Sequence, residues 1–280
     1  MKKICYALLF GAILFFSQGG EIEASNGVGI ADNENGTVTV TYENEDESKI
    51  AVTVKKSGES NQYNYFVEQK DVEVSIPLTS GNGTYNICVL QHIEDNKYSP
   101  LTSEEIELEL EDYKTAYLSS NEMIKWEEKN KAIKKANKIA KKYKSQMSKI
   151  KGIRAYLVKK FDYDYDKFAE NESGNLSYYM PDINETFRTK KGICYDISAL
   201  TASMMRSVGI QTKMVTGYPC NDYFDGVSYH AWNKVFSKKY KKWLVLDVTC
   251  DICLYDQGVE FGKIPLKKKG SQYSNVKYEY

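Results

Sequence analysis

Lys191-Gly192-Ile193-Cys194-Tyr195-Asp196-Ile197-Ser198-Ala199-Leu200-Thr201-Ala202-Ser203-Met204-Met205-Arg206-Ser207-Val208-Gly209 is the stretch on which the reading of the chain turns. Ile197, Leu200, Met204 and Val208 recur every three or four residues, the spacing of one buried helix face. Gly209 stands where a left-handed residue ends a helix, and Cys194 falls at that helix's N-terminus. Gly192 is expected to permit a tight approach of the chain to the helix. Downstream, residues 213–216, 231–236 and 243–248 are β-branched and aromatic runs. The last two are joined as a hairpin by the lysine-rich turn 237–242. A helix followed by a sheet is an α+β order.

The same stretch suggests chemistry. A nucleophilic cysteine must reach the thiolate state, which the positive end of a helix and its unpaired N–H groups favour. The thiolate also needs an imidazole to exchange protons and a third group to hold that imidazole in the right tautomer. The chain has two histidines. His92 lies in a strand-rich region, which leaves His230 as the partner of Cys194. Asp247, near the end of the strand that pairs with the one starting at His230, is placed as the orienting carboxylate. Singly, a helix cysteine reads as a small buried hydrophobe, a strand histidine as a hydrogen-bonded core residue and an aspartate after a strand as a turn cap. Together they are better explained by a catalytic triad.

At these residues the sequence resembles the transglutaminase-like superfamily, whose core is papain-like. The resemblance is carried by Lys191-Gly192-Ile193-Cys194, by Met205-Arg206-Ser207-Val208-Gly209-Ile210, by Val215-Thr216-Gly217-Tyr218, by His230-Ala231-Trp232-Asn233-Lys234-Val235 and by Trp243-Leu244-Val245-Leu246-Asp247-Val248-Thr249. It covers roughly residues 148–255 and implies a Cys194, His230, Asp247 triad. Two positions depart from the family's pattern. Lys213 stands where many members have arginine, and Asp247-Val248-Thr249-Cys250 replaces an Asp-Pro-Thr-aromatic run. The implied reaction is thiolate attack on an amide carbonyl, loss of the amine and a thioester acyl-enzyme, resolved by water in a peptidase or by an amine in a cross-linking enzyme. The Cys194 backbone N–H is a candidate oxyanion donor, with Tyr163 or Tyr165 as side-chain candidates. Trp232 and Trp243 read as packing residues.

Working outward, residues 148–161 read as a helix, the segment Ile153–Asp166, amphipathic and ending in a Tyr-Asp run, resembles the family's core entry, and 167–191 read as a polar surface loop. Residues 121–161 are helical in pattern, with Ala132, Ile133, Ala136, Ile139, Ala140, Tyr143 and Met147 on one face. The expected break between two helices falls near Gly152 or just before it. Between Lys125 and Lys160 there are 14 bases and 2 acids. That face suits either solvent or an anionic wall polymer or membrane surface. Residues 37–43, 49–54, 62–67, 72–76, 83–94 and 104–110 read as six short strands, the expectation for an all-β sandwich of immunoglobulin-like or fibronectin-like type.

Lys2 and Lys3 precede an apolar run from Ile4 to Phe16, the pattern of a signal peptide. The run is shorter than the ~18–20 residues that cross a bilayer. The expected organisation is a signal peptide over 1–24, a β-sandwich over 28–112, a lysine-rich helical connector over 113–147 and a catalytic domain over 148–280. The expected product is a secreted or cell-surface enzyme without stable membrane insertion. Residues 21–112 carry net charge −15 and residues 113–280 carry +13, so the overall zero joins two halves of opposite sign. A net charge of zero excludes a dedicated nucleic-acid binder.

Export leaves Cys88, Cys194, Cys220, Cys250 and Cys253, an odd set in which at least one thiol stays free or pairs between chains. A disulfide from Cys220 to Cys250 or Cys253 is expected, with Cys88 as a buried thiol. The Cys250/Cys253 spacing also matches redox and zinc motifs. No cofactor or metal is expected, since the core lacks an acidic cluster with calcium-loop spacing. Two functions follow. One is a secreted thiol enzyme acting on protein or peptide amides, associated with the cell wall or free. The other is a non-catalytic surface-binding or scaffold protein that uses the sandwich and the basic helix.

Overall fold

The computed structural model describes residues 14–15, 27–45, 48–67, 70–173, 179–220, 226 and 228–280. The chain divides into two compact units with the boundary between Glu122 and Met123. The expected signal peptide lies outside the described residues apart from Leu14–Phe15. The stretch 113–147, read from the sequence as a connector, is shared between the two units.

The first unit is built from β1 (Leu14–Phe15), β2 (Val28–Asp32), β3 (Thr37–Glu43), β4 (Ile50–Lys56), β5 (Gln62–Val67), β6 (Asp71–Pro77), β7 (Gly83–Glu94) and β8 (Lys97–Leu108). One sheet has the order β1-β8-β7-β4-β5 and the other β2-β3-β6. In β6, Val72, Val74 and Ile76 are buried while Asp71 and Glu73 are exposed, the period-two alternation of a sheet with one face in a core. Much of the unit's acid content thus sits on outward positions. Strands over 37–43, 62–67 and 83–94 fall where the sequence puts them. β2 carries too little buried apolar side chain to announce itself. β8 starts at Lys97 rather than 104, because Pro100 and a bulge obscure its pattern. Val89 pairs with Thr102 and Leu90 with Pro100, leaving Leu101 as the extra residue. Cys88 is a buried thiol, and burial pushes it up to about 11.

The second unit contains α1 (Lys131–Ala140), α2 (Gln146–Val158), β9 (Asp162–Tyr163), α3 (Tyr165–Glu172), α4 (Ile183–Thr189), β10 (Lys191–Gly192), α5 (Cys194–Arg206), β11 (Thr212–Gly217), β12 (His230–Ser237), β13 (Lys242–Leu246), α6 (Val248–Asp256) and β14 (Val276–Glu279). It is mixed α/β. α5 is its central helix, with every residue from Tyr195 to Arg206 buried. It packs on β11 and β12 of an antiparallel sheet ordered β13-β12-β11-β14, while α1, α2, α4 and α6 surround its other sides. Gly209, at φ +76°, turns the chain out of α5 as its position predicts.

Three sequence expectations are corrected here. The break between the lysine-rich helices falls at residues 141–145, where Ser145 caps α2 by accepting the Ser148 N–H at 3.1 Å. Gly152 lies inside α2. A Cβ there would come within 2.5 Å of the Tyr143 ring and 3.0 Å of Ile139, so the glycine permits close helix packing instead of ending a helix. Residues 167–191 are not one loop. α3 and α4 begin at Asp164 and Asp182, whose carboxylates accept backbone N–H groups from Lys167 and from Asn184 and Glu185. The run 243–248 ends as a strand at Leu246, because Asp247 caps α6.

Candidate active site

Cys194 is the first residue of α5, where the backbone N–H groups have no partner inside the helix. The start is fixed by Asp196, which accepts the Ile193 N–H at 3.0 Å and is itself held by Lys167 at 2.8 Å. Gly192 makes this approach possible. A Cβ at that position would sit 2.8 Å from Asp196 Cβ and 3.2 Å from Thr186, so the requirement is space and not a left-handed backbone. Cys194 is partly exposed at the end of an otherwise buried helix.

His230 opens β12 and is buried. Leu246 pairs with Asn233, so the chain leaves β13 at a level that brings Asp247 beside the start of the neighbouring strand. His230 Nε2 donates to Asp247 Oδ2 at 2.9 Å. The ring also shares a hydrogen bond with Cys194. With Nε2 turned to the carboxylate, Nδ1 is the nitrogen left for the sulfur. All three residues singled out from the sequence therefore come together.

Electrostatics reinforce the arrangement. Burial alone would lower the His230 pKa, but the Asp247 charge and hydrogen bond, with Cys194 adding to them, outweigh it and hold the imidazolium up to about 10. Burial would raise the Asp247 carboxyl, and the imidazolium with hydrogen bonds from the Cys250 N–H and Tyr273 keeps it below its ordinary value. An ionised carboxylate and a charged ring stabilise each other out of water.

Several contributors escaped the sequence reading. Tyr273 donates its hydroxyl to Asp247 Oδ2 at 2.8 Å and meets the Trp232 ring edge-on at 5.2 Å. Trp232 in turn lies nearly parallel to the His230 ring, at 17° and 6.2 Å. Asn233 Nδ2 donates to the Ser198 carbonyl at 3.0 Å and to that of Lys213 at 3.2 Å, tying the histidine strand to the cysteine helix. A polar residue inside a buried strand was the available signal for Asn233. Tyr273 lies beyond the last element read from the sequence and gave none. Trp232 and Trp243 are packing residues: the first is fully buried and the second meets Phe236 at 5.5 Å.

Tyr163 sits close enough to Cys194 for the two to repel when ionised, and its phenol is pushed up by burial first and by that repulsion second. Tyr165 is 61% exposed and hydrogen-bonds Cys253. A cleft of about 80 Å3 opens at the sulfur, walled by Phe168, Glu172, Tyr195, Tyr229 and His230.

The expected disulfide is not formed, and Cys88, Cys194, Cys220, Cys250 and Cys253 are all free thiols. Cys220 is exposed beside Gly226, whereas Cys250 is buried in the first turn of α6. Burial pushes Cys250 upward and Cys253 up to about 11, the reverse of the activation a redox pair requires. Among the described residues no three His, Cys, Asp or Glu side chains are grouped to hold a metal ion, so the zinc reading of this spacing lacks a ligand set.

A buried Asp–His pair thus stands against a thiol at the start of a helix. Residues 133–248 match the family model described as the transglutaminase-like superfamily. The match begins earlier than the sequence reading placed it and takes in most of α1. The UPF0252 protein MJ1282 of Methanocaldococcus jannaschii is 32% identical over 146 residues, covering 48% of this chain and 40% of that protein. The chain thus spans well under half the length of this relative. Among solved structures, a TGase shares 22% identity over 42% of this chain and 30% of its own, at TM-score 0.33. The periplasmic domain of TgpA from Pseudomonas aeruginosa shares 12% over 79% and 74%, at TM-score 0.40. Among the described residues no helix is long and apolar enough to cross a membrane.

Proposed function

We propose that the chain is an exported thiol enzyme acting on amide bonds of protein or peptide substrates, with Cys194 as nucleophile, His230 as proton carrier and Asp247 as its orienting partner. The observation that carries this reading is the buried 2.9 Å contact between His230 Nε2 and Asp247 beside Cys194. A structural histidine needs no carboxylate held by two further donors and no thiol on its other side.

In the proposed reaction the Cys194 sulfur attacks the carbonyl carbon and the C–O π electrons move onto oxygen. The Cys194 backbone N–H is the proposed donor to that oxyanion, supported by its position at the helix start, where such groups have no partner within the helix. As the C–N bond breaks, His230 gives its proton to the departing amine, leaving a thioester. Water or a second amine then gives up a proton to His230 and attacks the thioester carbonyl, and the C–S bond breaks to release Cys194 as thiolate beside the reprotonated ring. Asp247 holds the ring throughout and stabilises its charged form. The all-β first unit is proposed to be an immunoglobulin-like module, and the apolar run over 4–16 to direct export.

The test is incubation of the chain with a casein-like substrate, with and without a fluorescent primary amine. Label incorporated into substrate identifies transfer, and shortened substrate without label identifies hydrolysis. Both must vanish in Cys194→Ala; neither product from the unaltered chain sinks the enzymatic reading and favours the scaffold. Iodoacetamide adds a readout free of substrate choice. At near-neutral pH the half-buried Cys194 should alkylate faster than the exposed Cys220, and His230→Ala should reverse that order.

A further inference from the structure

Three segments far apart in the chain are basic without any acid: residues 141–160, 237–246 and 261–275 together hold sixteen Lys and Arg and no Asp or Glu. The fold brings parts of all three to one place, away from the residues that line the thiol cleft. α2, the turn between β12 and β13, and the chain just after residue 264 enclose a groove of about 450 Å3. Its apolar side chains are Met147, Leu244 and Leu266, and Lys151, Lys242 and Lys267 stand around them with Tyr240, which is 52% exposed. Two further contacts fix its shape. Gln146 Nε2 donates to the Phe236 carbonyl at 3.0 Å and Gln146 Oε1 accepts the Lys238 N–H at 2.9 Å, so the hairpin turn is clamped to the start of α2.

The fold uses some of these cations internally. Lys268 and Arg154 point inward and share the buried Asp251 at 2.5 Å and 2.7 Å. Lys151, Lys242 and Lys267 are exposed and form no ion pair among the described residues. Clustered like charges without a counter-charge repel, and they attract an anion from solution.

We propose that this groove is a docking site for an acidic peptide segment carrying an apolar anchor side chain. Its concave shape and apolar floor decide between anionic partners. A phosphate polymer offers no apolar group to occupy Met147, Leu244 and Leu266. A membrane surface would be met by protruding apolar side chains, not by a recess. A peptide with carboxylates on either side of a leucine or phenylalanine satisfies both the floor and the ring of lysines. The site stands apart from the proposed thiol chemistry and is tested by binding alone.

Fluorescence anisotropy on the full chain uses a labelled acidic peptide of about ten residues with a central Leu-Phe pair. Saturable binding is expected, weakening about tenfold when the pair becomes Ser-Ser and about tenfold or more in Lys151→Glu/Lys242→Glu/Lys267→Glu. Raising salt from about 50 to about 300 mM should weaken it further, because the charges are exposed. The triple variant's thermal melt is compared with the parent's. If the variant melts early, Lys267→Glu alone and the parent's salt series carry the test. No saturable binding overturns the proposal, as does equal binding of the Ser-Ser peptide or of a lysine-for-glutamate peptide. Polyphosphate or phosphatidylglycerol vesicles bound as tightly as the peptide, and lost in the same variant, would also overturn it.

Discussion

The two units handle charge in opposite ways. Among the described residues of the first unit, the buried polar side chains are Thr and Asn, and no charged side chain is buried. Its Lys97–Glu94 pair, at 2.5 Å, stands in solvent. The second unit buries Arg154, Asp196, Arg206, Lys213, His230, Asp247, Asp251 and Lys268. Taking such groups out of water costs several kcal/mol each unless partners compensate, on the order estimated for buried ions generally. The contrast teaches that a strand-rich unit held by apolar alternation can stay charge-free inside, whereas the unit that brings Cys194, His230 and Asp247 together accepts buried ions and must partner every one.

Breaking a buried pair should therefore have the largest effect. Asp247→Asn should lower turnover by roughly 10³- to 10⁴-fold and cost about 3–5 kcal/mol, because it leaves the imidazolium without its counter-charge. Amide-cleavage kinetics and urea unfolding measure the two. The same variant should flatten the pH dependence of stability. In the parent, His230 is held up to about 10 against 6.5, so its contribution is complete below pH 6.5 and is lost as pH climbs through 10. Asp247 is held below its usual 3.8, so its contribution is present above that value and is lost as pH falls through the lowered one. An unfolding midpoint that does not fall on the alkaline side would contradict this ion pair.

Asp251→Asn comes next. It should cost about 3–5 kcal/mol in urea unfolding by stranding Arg154 and Lys268. Direct effects on chemistry should be smaller than at Asp247, because Asp251 does not touch the Cys194–His230 pair.

Tyr273→Phe sharpens the comparison by removing one hydroxyl while keeping the ring against Trp232. The expected loss is about 1 kcal/mol of stability and about tenfold in kcat with KM unchanged. An unaltered kcat would make Tyr273 a packing residue only. Lys97→Ala in the first unit should be the mildest, within about 0.5 kcal/mol, as for exposed pairs in general. A larger loss there would erase the distinction between the units.

What was legible in the sequence follows the same line. The helix after Cys194 and the strands around His230 and Asp247 have local apolar periodicity, so their positions could be read residue by residue. So could 37–43 and 83–94 in the first unit. Illegible features depend on contacts across long separations. Gly152 looks like a helix breaker until Tyr143 and Ile139 are seen against it. Pro100 hides the start of β8 because its tolerance depends on the bulge opposite Leu90. Tyr273 reaches Asp247 from 26 residues away, and no periodicity encodes that. The expectation of a disulfide failed for the same reason, since spacing in sequence carries no information about which way two sulfurs point.

Asp247 has one further consequence. Oδ1 caps α6 through the Cys250 N–H at 2.9 Å, while Oδ2 receives both the imidazole and the Tyr273 hydroxyl. A single side chain thus serves as hinge pin for a helix, a strand edge and the chain's far end. Chemistry and architecture cannot be varied separately there. On the proposed reading, a change at Cys194 would remove the chemistry and spare the architecture, whereas a change at Asp247 would disturb both.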